Sequence, residues 1–134
     1  MRIIADSGFL IALLDRLDGF HAWAARIVEV EPPPYRVCEA VCAEVAAVLG
    51  SPEPMLAMLD RGDLQLDFSL SEELLSVHKL TRKYKDQPMD LADACVVRMS
   101  EIHRICKILT VDERDFSVYR RFGNQPLPCI FPDS

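Results

Sequence analysis

Two strand-like runs in this chain end in carboxylates. Ile3-Ile4-Ala5 leads straight into Asp6, and Ile108-Leu109-Thr110-Val111 leads into Asp112, with Asp115 three residues further on. Asp90 and Asp93 stand at the head of "DLADACVV", and Glu44 lies inside the apolar run "AVCAEVAAVL". Carboxylates serve as general bases and as ligands for hard cations. Each also has a plainer reading. Asp6 or Ser7 can cap the helix that follows, and Asp112 can be an N-cap with Asp115 favoured by the dipole of the first turn. Asp90 and Asp93 can play the same two parts.

Glu44 has no such use, because it sits within a helix rather than at its start. Ala40, Val41, Ala47 and Val48 stand three and four positions away and form an apolar stripe, which predicts that Glu44 faces the core side. Glu39 falls on another face and is expected in solvent. An inward carboxylate needs a raised pKa, an Arg partner or a metal ion, since an isolated buried charge is costly. Asp6, Glu44, Asp93 and Asp112 come from four separate segments. Brought together without interleaved Lys or Arg they repel strongly, and Mg²⁺ or Mn²⁺ is the natural counter-charge.

The elements that must position these acids alternate. Arg2 to Ala5 reads as a short buried strand, followed by a helix from Ser7 through Leu17. A second helix spans about Gly19 to Val30, with Phe20, Trp23, Ile27 and Val30 in helical register. "EPPPY" stops it. Tyr35 to Val37 is a short strand, and "CEAVCAEVAAVLG" is a helix ending at Gly50. "SPEPMLAMLDRGD" is another helix, with Gly62 after its end. "LQLDFS" alternates like a strand. "SEELLSVHKLTRKYK" opens acidic and closes basic, matching the helix dipole. "PMDLADACVVRMSEIHR" is a helix, "KILTV" a strand, "ERDFSVYRRF" a helix and "PCIF" a last strand. Alternation with short connections predicts a parallel sheet covered by helices. In such a sheet ligands bind beyond the carboxyl ends of the strands, where Asp6 and Asp112 both lie.

The chain has 134 residues, which suits one domain over 1–134. Half the residues are hydrophobic and 27% are charged, an ordinary globular balance. Phe9 to Leu14 is far shorter than the ~20 apolar residues of a membrane span. Asp6, Asp15, Arg16 and Asp18 around it argue against a signal peptide, so a cytoplasmic, membrane-free protein is expected. Five cysteines in apolar stretches read as reduced thiols; Cys38 and Cys42 lie one helical turn apart, but no second Cys or His pair sits at zinc spacing. The net charge of −6 excludes a general affinity for nucleic acid but leaves room for local basic groups. Lys79, Arg82, Lys83 and Lys85, with Tyr84 among them, form one such group. Arg114, Arg120 and Arg121 form another.

Taken together, "IIADSGFLIALL", "AVCAEVAAVL", "MDLADACVVRMSE" and "ILTVDERDF" resemble the PIN-domain family, and within it the VapC-like toxin ribonucleases. Their order and separation fit over almost the whole chain. The resemblance implies a three-layer α/β/α sandwich around a central, mainly parallel sheet of four to five short strands. It implies a metal-dependent endoribonuclease using Mg²⁺ or Mn²⁺, with Asp6, Glu44, Asp93 and Asp112 as the catalytic and metal-holding acids and Asp115 as an additional ligand. Ser7 and Thr110 match small hydroxyl residues that orient carboxylates. Asp90 lies outside the usual tetrad and is expected as an N-cap with an outer role. One departure is Cys38, where many relatives carry Ser or Thr.

A bound Mg²⁺ or Mn²⁺ can activate water and hold a phosphate oxygen, so no His is required. The resemblance implies products with a 5′-phosphate and a 3′-hydroxyl, an RNA substrate, an antitoxin protein as partner, and a homodimer. Arg82, Lys83, Lys85 and Arg114 are the candidates for RNA contact, against the plainer reading of a solvated helix end. Two other readings compete. A catalytically silent PIN-like module binding protein or RNA has no need to cluster charge. A phosphoacceptor receiver domain should show a Lys after its final strand, and "PCIFPDS" has none.

Overall fold

The computed structural model describes residues 1–132; Asp133 and Ser134, which fall within the expected domain, lie outside the described residues. Five parallel strands form one sheet in the order β3-β2-β1-β4-β7. They are β1 (Arg2–Ala5), β2 (Tyr35–Val37), β3 (Leu64–Leu66), β4 (Cys106–Leu109) and β7 (Cys129–Ile130). β1 lies at the centre because its sequence is the most uniformly apolar: Ile4 and Ala5 are fully buried. Buried on both faces, it can only be an interior strand.

From β1 the chain steps outward through β2 to β3, and then returns to the other side of β1 as β4. The boundary between β1 and β4 is therefore the switch point of the sheet, where the carboxyl ends leave a crevice. The register there is continuous from Arg2↔Cys106 to Ala5↔Leu109, and the Asp6 amide adds one more rung to the Leu109 carbonyl at 3.0 Å. Asp6 and the residues after β4 thus emerge side by side.

Helices α1 (Ser7–Leu14), α2 (His21–Val30), α3 (Glu39–Leu49), α4 (Glu53–Arg61), α5 (Leu74–Lys83) and α6 (Leu91–Ile102) flank the sheet, giving the expected α/β sandwich. α1 packs on α2 and α3, α3 on α4 and α6, and α5 on α6. Phe9 anchors one part of the core, edge-on to Trp23 and Tyr35 with ring centroids 5.8 and 5.5 Å away. Gly50 and Gly62 end α3 and α4 at positive φ, as expected.

Several boundaries differ from the expectation. α1 stops at Leu14 rather than Leu17, because Asp15 and Asp18 turn their carboxylates onto the Leu17 and Phe20 amides. Its N-cap is Asp6, so Ser7 is the first helical residue and not the cap. α5 begins after Glu73, since Ser69 takes the Glu72 amide and holds residues 70–73 in turns. β3 is only Leu64–Leu66, because Asp67 leaves the ladder for Arg36 and His103.

The largest correction concerns "ERDFSVYRRF". Its helix, α7, covers only Glu113–Phe116. Arg120–Arg121 then pair antiparallel with Gln125–Pro126 as β5 and β6. Phe122 and Gly123, at φ 52° and 85°, make the turn that a continued helix would forbid. No helix among the described residues is long and apolar enough to cross a membrane.

Candidate active site

Asp6 is 4% exposed, yet its side chain does not cap α1. It accepts the Thr110 hydroxyl proton at Oδ2, 2.8 Å away, and a bond from the Ser7 amide. Burial raises its pKa, these two bonds oppose the rise, and the charges of Asp112 and Asp90 add to it, leaving Asp6 at about 6. Thr110 is itself fully buried, and its oxygen accepts the Asp112 amide at 3.1 Å. Asp112 caps α7 as expected, taking the Asp115 amide at Oδ1, 3.0 Å away. Burial pushes its pKa up, the Asp115 amide lowers it, and the Asp115 charge raises it again. β1 and β4 therefore deliver Asp6, Thr110, Asp112 and Asp115 as one hydrogen-bonded chain.

The second half comes from α3 and α6. Asp90 is the N-cap of α6, accepting the Asp93 amide at 2.8 Å. Asp93, one turn in, accepts the Tyr119 hydroxyl at Oδ2, 2.9 Å away. Its pKa rises to about 8 through burial, then through the Asp90 charge, with Tyr119 opposing and Asp6 adding. Glu44 is half-buried and reaches both the Asp90 carboxyl and the Ser7 hydroxyl. Burial and the shared contact with Asp90 raise it to about 7.

The reason Glu44 points inward is not the stripe read from the sequence. Val41 and Val45 are the fully buried residues of α3, whereas Ala47 and Val48 are exposed, Val48 by 63%. Glu44 borders the buried face and enters the crevice from its edge.

The structure thus brings Asp6, Glu44, Asp90, Asp93 and Asp112 within electrostatic reach of one another, with Asp115 against Asp112. No salt bridge among the described residues reaches any of them. An Arg partner for Glu44 is excluded in particular, since Arg98 is committed to Glu73 and Glu101. Among the described residues no three His, Cys, Asp or Glu side chains stand in ligating geometry about one point. The donors are nonetheless of the kind a hard divalent cation takes, all oxygen and short of positive charge.

Tyr119 is a contact to the acids that the sequence did not disclose. It is fully buried, edge-on to Tyr84 and Phe116 at 5.2 and 5.3 Å. Only the turn of the chain after α7 aims its hydroxyl at Asp93, and no spacing in the sequence signals that turn. Tyr84, which the sequence interleaves with the basic residues, is 8% exposed and takes the Arg120 amide at 2.8 Å. It is a core residue.

The basic residues divide. Arg82, Lys83, Lys85 and Arg114 are exposed, and Arg114 is near enough to lower the pKa of Asp112. Lys83 lines a groove of about 410 Å³ with Lys79, Arg98 and Arg120, and none of the acids of the crevice lines it. Arg120 and Arg121 are occupied internally: Arg120 binds the Ser117 and Tyr119 carbonyls, and Arg121 the Ser100 and Arg104 carbonyls.

No family model matches the chain. Over 127 residues it is 28% identical to Ribonuclease VapC26 of Mycobacterium tuberculosis (strain ATCC 25618 / H37Rv), covering 90% of this chain and 94% of that one. Its fold is similar to a chain of a solved toxin-antitoxin complex from Klebsiella pneumoniae, with a TM-score of 0.64 and 20% identity over 88% of this chain and 92% of that one. The VapC-like resemblance read from four short segments therefore holds along the chain in sequence, and the α/β fold matches that of the solved neighbour.

Proposed function

We propose that this protein is an endoribonuclease that hydrolyses RNA phosphodiester bonds with the help of Mg²⁺ or Mn²⁺, and that it is the toxin of a toxin–antitoxin pair. The observation that carries the reading is the convergence of Asp6, Glu44, Asp93 and Asp112 at the β1/β4 switch point without a salt bridge to any of them. A fold has no structural use for acids held in mutual repulsion, whereas hydrolysis of a phosphodiester has. The similarity to Ribonuclease VapC26 supports the ribonuclease, and the toxin-antitoxin complex supports a protein partner.

Asp6, Asp93 and Asp112, with Glu44 and Asp115, would hold the cation. Once bound, it lowers the pKa of a coordinated water and neutralises charge on the phosphate. The chain's own part is positioning and proton transfer. Thr110 fixes the Asp6 carboxylate and, through the Asp112 amide, the segment after β4. Tyr119 fixes Asp93. Glu44, with its pKa raised to about 7 by burial and by the neighbouring Asp90, is suited to accept a proton at neutral pH. Arg114, exposed beside Asp112, is placed to meet a phosphate, with Arg82, Lys83 and Lys85 as further RNA contacts. A homodimer belongs to the same proposal.

The test is to incubate the protein with single-stranded and structured RNA in Mn²⁺, in Mg²⁺ and in EDTA, beside an Asp93→Asn variant purified identically. Cleavage that requires metal and disappears in the variant supports the reading. Absence of cleavage together with absence of metal binding would overturn it in favour of a silent binding module. Equal cleavage by both proteins would assign the activity to a contaminant.

A further inference from the structure

A cleft of about 570 Å³ opens beside the acids, between the first turns of α3 and α6 and the segment after β3. Its volume lies within the ~300–1,000 Å³ of small-ligand sites. The buried Cys38 and Cys95 line it together with Ala40, Ala43, Leu91 and the half-buried Phe68. Space is left because α3 presents the small side chains Ala40 and Ala43 there, with Glu39 at the edge. Ala40 stands one helical turn before Glu44 on α3 and Leu91 directly follows Asp90, so the cleft lies beside the acids although none of them lines it.

The lining chemistry narrows the occupant. No Lys, Arg or His lines the cleft among the described residues, so it offers nothing to a phosphate. It combines an aromatic ring, apolar walls, the Ser69 and Ser71 hydroxyls and the exposed Glu39 carboxylate, which accepts N–H donors and repels a phosphate. Ser69 keeps bonding capacity beyond the Glu72 amide and the Ser71 hydroxyl it already meets. An uncharged, flat group with polar edges matches that surface. An RNA whose scissile phosphate lies at the acids carries such a group on the next ribose.

We propose that this cleft receives one nucleobase adjacent to the scissile bond, with Phe68 as the ring against which it packs. The proposal rests on the nuclease reading and assigns that site a base subsite. Base–aromatic contacts are sequence-tolerant, so the cleft acts chiefly as a grip that sets the register of cleavage.

The test uses a short single-stranded RNA cut by the wild-type protein and a series in which each nucleotide flanking the cut is replaced in turn by an abasic ribose. One abasic position should lower kcat/KM by roughly 5- to 100-fold, mainly through KM. Ala43→Leu, on an exposed position, should fill the cleft, and Phe68→Leu should remove the ring. Both should lower kcat/KM on intact RNA and make intact and abasic substrates nearly equal. Thermal melting reports whether each variant folds, and either one alone suffices. Indifference of the wild type to every abasic position would overturn the proposal. So would full abasic sensitivity in folded variants, the result expected if a protein segment occupies the cleft. No cleavage of any RNA would overturn the nuclease reading and this one with it.

Discussion

The Thr110 hydroxyl donates to Asp6 at 2.8 Å while its oxygen accepts the Asp112 amide at 3.1 Å, so one buried side chain ties together the acids that end two neighbouring strands. Its proton has only one partner, which sets the orientation of the Asp6 carboxylate. Thr110→Val keeps the shape and removes both bonds. Asp6 would then be buried with the Ser7 amide as its remaining donor, and a stability loss of about 1–3 kcal/mol is expected. RNA cleavage should fall roughly 10- to 100-fold, the usual cost of losing a group that orients a metal-holding carboxylate. Thr110→Ser should restore most of both, which denaturant melts and a cleavage assay will show. Equal activity in Thr110→Val and wild type would mean that Asp6 needs no orientation.

Tyr119 and Asp93 allow a separate test. The hydroxyl, 2.9 Å from Oδ2, is one of the groups that oppose the rise in the Asp93 pKa. In Tyr119→Phe that opposition disappears while the ring packing on Tyr84 and Phe116 remains. The pH–rate profile should move to higher pH, with cleavage at neutral pH reduced by roughly tenfold. A rate and a profile both equal to those of the wild type would limit Tyr119 to packing.

The metal-free protein should lose stability as pH rises. Asp6, Glu44 and Asp93 have folded pKa values of about 6, 7 and 8, above their ordinary 3.8, 4.5 and 3.8. Between those limits the folded chain holds more protons than the unfolded one, so the slope of stability with pH is negative. The contribution of these groups is complete below about pH 4 and is lost as pH passes through their folded values. Melting in EDTA from about pH 5 to about pH 8.5 should therefore show a falling Tm, flatter in Asp93→Asn. Millimolar Mn²⁺ should raise Tm most at the alkaline end, because bound ligand stabilises by mass action and ionised carboxylates bind best. A Tm that rises across this range in EDTA would contradict the electrostatic picture.

The frame of this site was legible because apolar runs broken by an acid are hard to place anywhere but at a strand end. Ile3-Ile4-Ala5-Asp6 and Ile108-Leu109-Thr110-Val111-Asp112 therefore gave both the central strands and the crevice between them. Caps at Asp90 and Asp112 were legible for the same local reason. Tyr119 was not, since its partner depends on the hairpin Arg120–Pro126, whose turn at Phe122 uses a conformation rare outside glycine. Val48 misled because a helix resting on its neighbours through Val41 and Val45 leaves an apolar residue in solvent at no great cost. Asp90 was placed correctly as a cap, but its contact with Glu44 belongs to the approach of two helices, which no single segment encodes.

That approach of elements is tightest at Gly8. A Cβ built there would lie 2.5 Å from Val111 Cγ2, closer than real Cβ contacts come. The missing side chain lets the first turn of α1 rest against the segment that carries Asp112, and so keeps Asp6 and Asp112 on adjacent positions. Alanine favours a helix interior over glycine by about 1 kcal/mol, but Gly8 is in the first turn, where that gain is smaller. Overpacking costs about 1–3 kcal/mol, and Val111 is β-branched and half-buried, with little freedom to rotate away. The clash should win, so Gly8→Ala should be destabilised by about 1–2 kcal/mol and lose cleavage activity out of proportion to its folding. Val111→Ala removes the offending methyl, and the double variant should recover stability and activity beyond the sum of the single changes. The coupling energy from the four melts checks this directly. Simple additivity would show that α1 and the Asp112 segment do not depend on each other's position.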